Sequence, residues 1–177
     1  MPGMEIQEWL PGLPESDIDA LADVLHAVVH TGAGVSFIVP FSIEEARAFW
    51  VDRVLPDIAQ GKRRLVVARR DGRIVGTVHL VLDMPPNQQH RADITKLLVH
   101  PDARRQGIAR ALMEEIEKIA REEGRTLLTL DTWTKSPAED LYLSMGYVIV
   151  GMIPRFARTS TNEELEPTTI MYKDLEP

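Results

Sequence analysis

Apolar and polar positions along the chain follow two periods, and the changes of period mark its elements. From Pro14 to His30 the apolar positions Ile18, Leu21, Leu25 and Val28 recur three and four residues apart, and Gly32 and Gly34 end the pattern, which predicts a first helix. Ser42 and Glu45 have the spacing of a capping box ahead of a second helical stretch, Ile43 to Ala59, with Ala46, Phe49, Trp50 and Val54 on one side. Leu65 to Arg70 and Ile74 to Leu82 are β-branched runs joined by Asp71-Gly72, which predicts an antiparallel hairpin. Pro85, Pro86 and Asn87 break that pattern, and Ala92 to Val99 predicts another strand, stopped by His100-Pro101-Asp102.

From Gly107 to Glu123 the apolar positions Ile108, Leu112, Ile116 and Ile119 keep helical spacing, with Gly124 placed as a C-terminal cap. Leu127 to Leu130 is short and wholly apolar or β-branched, as in a parallel strand buried on both faces, and Asp131 falls just past its end. Ser136-Pro137-Ala138-Glu139 combines a capping box with proline at the first helical position, and Gly146 closes a short helix. Tyr147 to Met152 and Thr169 to Tyr172 supply the last strands, and the polar segment 158–167 between them reads as a loop or a long hairpin connection. Helices, a hairpin, then strand-helix-strand-helix-strand-strand make one mixed α/β domain over residues 1–177.

Composition narrows the function classes. The chain has 177 residues, 44% of them apolar and 27% charged, enough for a packed core. Lys and Arg number 20 against 27 Asp and Glu, so the net charge of −7 disfavours nucleic acid and anionic membranes as partners. An anionic ligand therefore needs a local basic patch. Cysteine is absent, which excludes disulfides, thiolate metal sites and a sulfur nucleophile. The N-terminus carries no secretory pattern and no stretch has the apolar length of a spanning helix, so a cytoplasmic protein is expected.

The turn Arg104-Arg105-Gln106-Gly107-Ile108-Ala109 joins a strand to the long helix. Free N–H groups at a helix start, a glycine that admits close approach and two arginines would suit a diphosphate; the same residues also fit an ordinary helix start with exposed arginines. Arg104, Gly107 and Ala109 match the Arg/Gln-x-x-Gly-x-Gly/Ala signature of the GNAT superfamily of acyl-CoA-dependent N-acetyltransferases, and the whole element order, with Leu141 to Tyr147 on the short helix, resembles that superfamily. The resemblance implies a mixed central sheet of about six or seven strands with four helices, its central strands splayed. It implies acetyl-CoA as cosubstrate and no metal. Its diphosphate would lie against Arg104, Arg105, Gln106, Gly107, Ile108, Ala109 and Arg110, and its pantetheine arm along the backbone of Leu98 and Val99, near which an N–H is expected to face the oxyanion. Within the superfamily, His30 to Val35, Leu130-Asp131-Thr132 and Pro167 to Ile170 resemble segments of tabtoxin resistance acetyltransferases, which implies acetylation of a small antimetabolite-like amine.

Direct transfer to an amine needs a proton acceptor, oxyanion donors and an acid for the departing thiolate. By resemblance, Tyr142 is the acid; packing of its ring in the core is the alternative. Asp131 is a candidate base, or a turn carboxylate. Asp93, on an interior strand, belongs either to a cavity, as a second catalytic carboxylate, or to an ion pair with Arg91 or Lys96. For the acceptor, Gly34 belongs to a flexible loop, and Phe37, Trp133 and Arg155-Phe156 are expected to close the site around a small molecule. An open groove would instead suit a protein or peptide acceptor, and a site without productive chemistry an acyl-CoA-binding sensor. A homodimer stays open. His26 and His30 have zinc-pair spacing but lack a third ligand, and Lys62-Arg63-Arg64 and Arg69-Arg70 read as solvated strand ends, one of them within reach of the cofactor's 3′-phosphate.

Overall fold

Seven strands form one mixed sheet in the order β1-β2-β3-β4-β5-β7-β6. The strands are β1 (Met4–Glu8), β2 (Arg63–Arg70), β3 (Arg73–Val81), β4 (Arg91–Val99), β5 (Leu127–Trp133), β6 (Val148–Arg158) and β7 (Leu165–Asp174). This computed structural model describes residues 3–12 and 14–176. The alternation of β2 and β3 puts Leu65, Val67 and Ile74 on one face and Val66, Ala68, Val78 and Leu80 on the other, so both faces need cover. One face is covered by α1 (Glu15–Val29) and by α2 (Ile43–Phe49), which runs through a π turn (Trp50–Val54) into α3 (Leu55–Ala59). The other is covered by α4 (Ile108–Glu122) and α5 (Pro137–Ser144). Counting α2 to α3 as one, the α-helices among the described residues number four, the number expected for this fold.

The capping box at Ser42 and Glu45 is formed in both directions, and Asp71-Gly72 has φ of 52° and 80°, the positive pair that a two-residue hairpin turn needs. The second helix keeps its expected extent but not its regularity. Pro56 brings no N–H to the ladder just where the π turn ends.

Three expectations are corrected. β1 was not foreseen, because five residues, three of them Glu or Gln, are too few to carry a strand signal; it forms by pairing Met4 to Glu8 against Arg70 to Val66. Asp131 lies inside β5 rather than beyond it, since pairing with β7 continues to Trp133 opposite Thr168. The last two strands are longer than expected: β6 runs past Met152 to Arg158 and β7 starts at Leu165 rather than Thr169, which leaves 159–164 as the connection of a hairpin, one of the two forms expected for that polar segment. β6 is the sheet edge and is exposed along nearly all its length, so polar and charged residues do not interrupt it.

Two local features shape the centre. Lys96, at φ 51°, forms a bulge in β4, where the register with β3 slips between Thr77 and His79. The bulge reverses the alternation: Ala92 and Ile94 face α4, but beyond it Leu98 faces α1 while Leu97 and Val99 turn toward α4. β4 and β5 pair in parallel only at Arg91 to Asp93 against Leu127 to Thr129 and then separate. The central strands therefore splay, as expected.

Candidate active site

The splay leaves one edge of β4 without a partner from Ile94 to Val99, and that edge leads to the start of α4. Gly107 caps α4 from the left-handed region, φ 78°, with no side chain bonded to the first helical N–H groups. A Cβ built there would meet nothing within 4 Å, so the backbone borders open space. Arg105 is exposed, also at positive φ, whereas Arg104 donates to the Val99 carbonyl and to Thr31. Arg110 donates to Ser144, and Gln106 accepts from Arg70 at 3.3 Å. Ile108 is buried under the turn, and Ala109 lies on the first helical turn. An uncapped helix start beside four guanidinium groups, continuous with an unpaired strand edge, fits a diphosphate followed by an amide-bearing arm.

Of the basic strand ends, only Arg70 borders this turn. The others are not simply solvated. Arg63 pairs with Asp57 and hydrogen-bonds His79, Arg64 pairs with Glu8 and Glu123, and Arg69 forms a buried bidentate pair with Asp17, which also accepts from the Trp9 indole. These arginines hold β1, α1, α3 and α4 to the sheet.

Leu128 and Leu130 face α4, so Thr129, Asp131 and Trp133 lie on the opposite face of β5, the face that carries Asp93 on β4. The two carboxylates differ in their surroundings. Asp93 accepts from Arg91 at 2.7 Å and from the Thr129 hydroxyl, so the ion-pair alternative is the one formed. Asp131 is exposed at the mouth of the wedge and accepts from Thr168 at 3.0 Å, which orients it without neutralising it. Tyr142 is buried in the α4-side core and packs on Tyr147 at 5.5 Å, so the packing alternative also holds. Burial, and then the charge of Asp131, push its hydroxyl above the ordinary tyrosine range. Its proton is therefore held at neutral pH.

The acceptor side contains a residue that sequence reasoning weighed only as a counter-ion. The bulge directs Lys96 toward the α1–α2 loop, where Nζ lies 5.8 Å from the centre of the Phe37 ring, 6.0 Å from that of Phe49 and 3.3 Å from the Ser36 hydroxyl. Burial and Arg63 push its ammonium below the ordinary lysine range, against the opposing pull of Asp131. His79 beneath it is fully buried; Arg63 donates to its Nδ1, and burial and both cations hold it neutral. A sequence signal existed only in hindsight, as a lone lysine in an otherwise uncharged stretch of strand.

Phe37 is thus joined to this cluster, stacking with Phe41 and Phe49. Gly34 is exposed, with open space around it. Trp133 is exposed further along the Asp131 face, Arg155, φ 54°, sits in an irregular segment of β6 with its side chain in solvent, and Phe156 is exposed beside it, so these three do not close the site as expected. The loop is fastened by another residue: Val39 donates to the Ser160 carbonyl, and the Ser160 hydroxyl donates to Val29. His26 and His30 stack at 4.2 Å, and no group of three metal-ligating side chains occurs among the described residues. No helix of these residues is long and apolar enough to cross a membrane.

Comparison with known proteins agrees with this geometry. The chain is 34% identical over 127 residues to an uncharacterised N-acetyltransferase of Azospirillum brasilense, covering 70% of this chain and 73% of that protein. It is 38% identical over 87 residues to human N-acetyltransferase 8, a match spanning 48% of this chain but only 38% of that relative. Among solved structures, an N-acetyltransferase from Staphylococcus aureus shares the fold at a TM-score of 0.79 and 16% identity, over 98% of this chain and 99% of that one. A Salmonella typhimurium structure described with its cofactor acetyl-CoA has a TM-score of 0.73 at 16% identity, over 98% and 95% of the two chains. The acetyltransferase (GNAT) family model matches residues 32–147, from the loop after α1 through the turn before α4 to Tyr147. With two thirds of its length matched, the chain belongs to the GNAT acetyltransferase family and is an acetyl-CoA-dependent N-acetyltransferase.

Proposed function

We propose that the protein moves the acetyl group of acetyl-CoA directly to the amine of a small molecule, with both bound together. The observation that carries this reading is the continuous path from the uncapped start of α4, along the unpaired edge of β4, to the exposed carboxylate of Asp131. Acetyl-CoA supplies a thioester activated toward amines. The N–H groups from Gly107 to Arg110, with Arg104 and Arg105, hold the diphosphate; the backbone of Leu98 and Val99 pairs with the arm and offers an N–H to the carbonyl oxygen. Asp131, oriented by Thr168, holds the amine and accepts its proton, directly or through water. Asp93, committed to Arg91 and Thr129, acts as a positioning group that keeps the two strands in register at the floor of the wedge. Tyr142 keeps its proton for the departing sulfur.

The fastening of the α1–α2 loop to Ser160 gives the acceptor side one fixed wall, which favours a small molecule over a peptide. An amino-acid-like antimetabolite, in the manner of tabtoxinine-type resistance, is the acceptor this reading favours. The exposed apolar residues of the β6 edge support a second copy of the chain as partner. Incubation with acetyl-CoA and a panel of small amines, followed by thiol release, tests the proposal. Turnover with an amine is expected; release confined to peptides would reassign the acceptor, and release with nothing would leave a binding module. Coenzyme A at 100 times its dissociation constant should add about 2.7 kcal/mol of stability, and Gly107→Glu should abolish that gain.

A further inference from the structure

Most partly buried cations of this protein come with a carboxylate; Arg125 donates to three backbone carbonyls and Arg70 to the Gln106 amide instead, and Lys96 has none of these. Arg63 pairs with Asp57, Arg69 with Asp17, Arg91 with Asp93 and Lys173 with Glu117. The lysines that form ion pairs among the described residues are Lys62, Lys118 and Lys173. Lys96 has only the Ser36 hydroxyl at 3.3 Å and the faces of Phe37 and Phe49. A lysine on an interior strand ordinarily escapes to water along its flexible stem. Here the left-handed bulge at φ 51° turns it into the space between the α1–α2 loop, α2 and the wedge, where Arg63 adds positive charge and Asp131 is the nearby negative one. A cation taken from water without a counter-ion is costly, and its cost falls when a ligand brings the anion.

Resting on the acetyl-transfer reading above, we infer that Lys96 binds a carboxylate of the acceptor, so that the substrate is an amino acid or close analogue held between Lys96 and Asp131. The two charges match a zwitterion in the order the chemistry needs. The amine goes to the carboxylate at the mouth of the wedge, and the substrate's own carboxylate goes to the ammonium on the loop side. Phe37 and Phe49 leave an apolar wall for the side chain, which favours apolar amino acids. An incoming carboxylate also restores the charged form that burial and Arg63 disfavour.

The test compares matched acceptors in the thiol-release assay: phenylalanine, methionine and leucine, each beside its amide, with phenethylamine as an amine lacking any carboxylate. The amines of the amides are less basic, so a larger fraction is unprotonated and able to attack at neutral pH, and a preference for the acids is therefore a property of the site. The acids should be favoured by about 30-fold or more in kcat/KM. Lys96→Met should collapse that ratio toward one, chiefly by raising KM for the acids, and Lys96→Arg should keep part of it. Amides used as well as or better than acids by the parent protein would overturn the inference while leaving acetyl transfer standing. So would an acid preference that persists in a folded Lys96→Met variant. Thiol release with other small amines but with none of these acids would overturn it as well, and release with no amine of the wider panel would overturn both readings. Should Lys96→Met fail to fold, the comparison of acids with amides in the parent protein decides alone.

Discussion

Tyr142 occupies a core position, and the proposed mechanism gives it a reactive role as well; a single oxygen separates the two. Its ring packs on Tyr147 whether or not the hydroxyl is present, so Tyr142→Phe should leave the melting temperature within a degree or two. Loss of a general acid should lower kcat by about 100-fold or more, measured as thiol release at saturating substrate. Asp17 is the contrasting case, a residue whose role is structural. Its carboxyl is held below the ordinary range chiefly by the hydrogen bond from Arg69, against burial and with help from Trp9. A depressed folded value means that its contribution is complete above about pH 4 and is lost as pH falls through the lower folded value. Asp17→Asn would strand Arg69, whose side chain is 12% exposed, and should cost about 3 to 5 kcal/mol near neutral pH. A thermal melt should show this as a fall of ~2 to 4 °C per kcal/mol, shrinking as both proteins are taken to acid pH. Residues at this scale were legible where a motif surrounds them. Gly107 at the head of α4 and Tyr142 on the short helix were placed from their neighbours in the chain, whereas the position of Lys96 depends on a bulge, and one inserted residue leaves no periodic trace.

Among the elements, β4 carries the most information per residue. Its first half pairs on both edges, its bulge reverses the faces, and its second half keeps an edge free. α4 can sit close enough to deliver its N-terminus to that edge because β3 has glycine at the crossing. A Cβ at Gly76 would lie 3.1 Å from the Leu98 carbonyl oxygen and 3.2 Å from the side chains of Ile108 and Leu112. Gly76→Ala should therefore cost about 1 to 3 kcal/mol in urea unfolding and weaken coenzyme A binding, as α4 is pushed from the sheet. The long helices and the hairpin were legible because caps, turn residues and period agree over many residues. β1 was not, since a short polar strand acquires its meaning only from β2, and the length of β6 was hidden by the polar residues an edge strand tolerates.

For the whole molecule, a sheet covered on both faces still ends in an uncovered strand. Val150 is 66% exposed on β6, with Met152, Phe156 and Ile153 exposed on the same strand. Self-association with rising concentration is the expected consequence, visible by light scattering, and Val150→Lys should reduce it without loss of melting temperature. The family and the splayed sheet were within reach of the primary structure, because the signature turn and the element order point the same way. The proposed acceptor site was not, because the segments argued to bound it, the α1–α2 loop and the β6–β7 connection, lie far apart in the chain.

That last property bears on how such an enzyme can change its diet. Ser160 grips the Val29 carbonyl across a separation of 131 residues and takes the Val39 amide on its own carbonyl. A loop transplanted from a cousin would arrive without its clasp, and a hairpin lengthened by two residues would pull the clasp away from the loop. New specificities in this lineage should therefore be reached by paired exchanges, grafting both segments together, rather than by swapping either one alone.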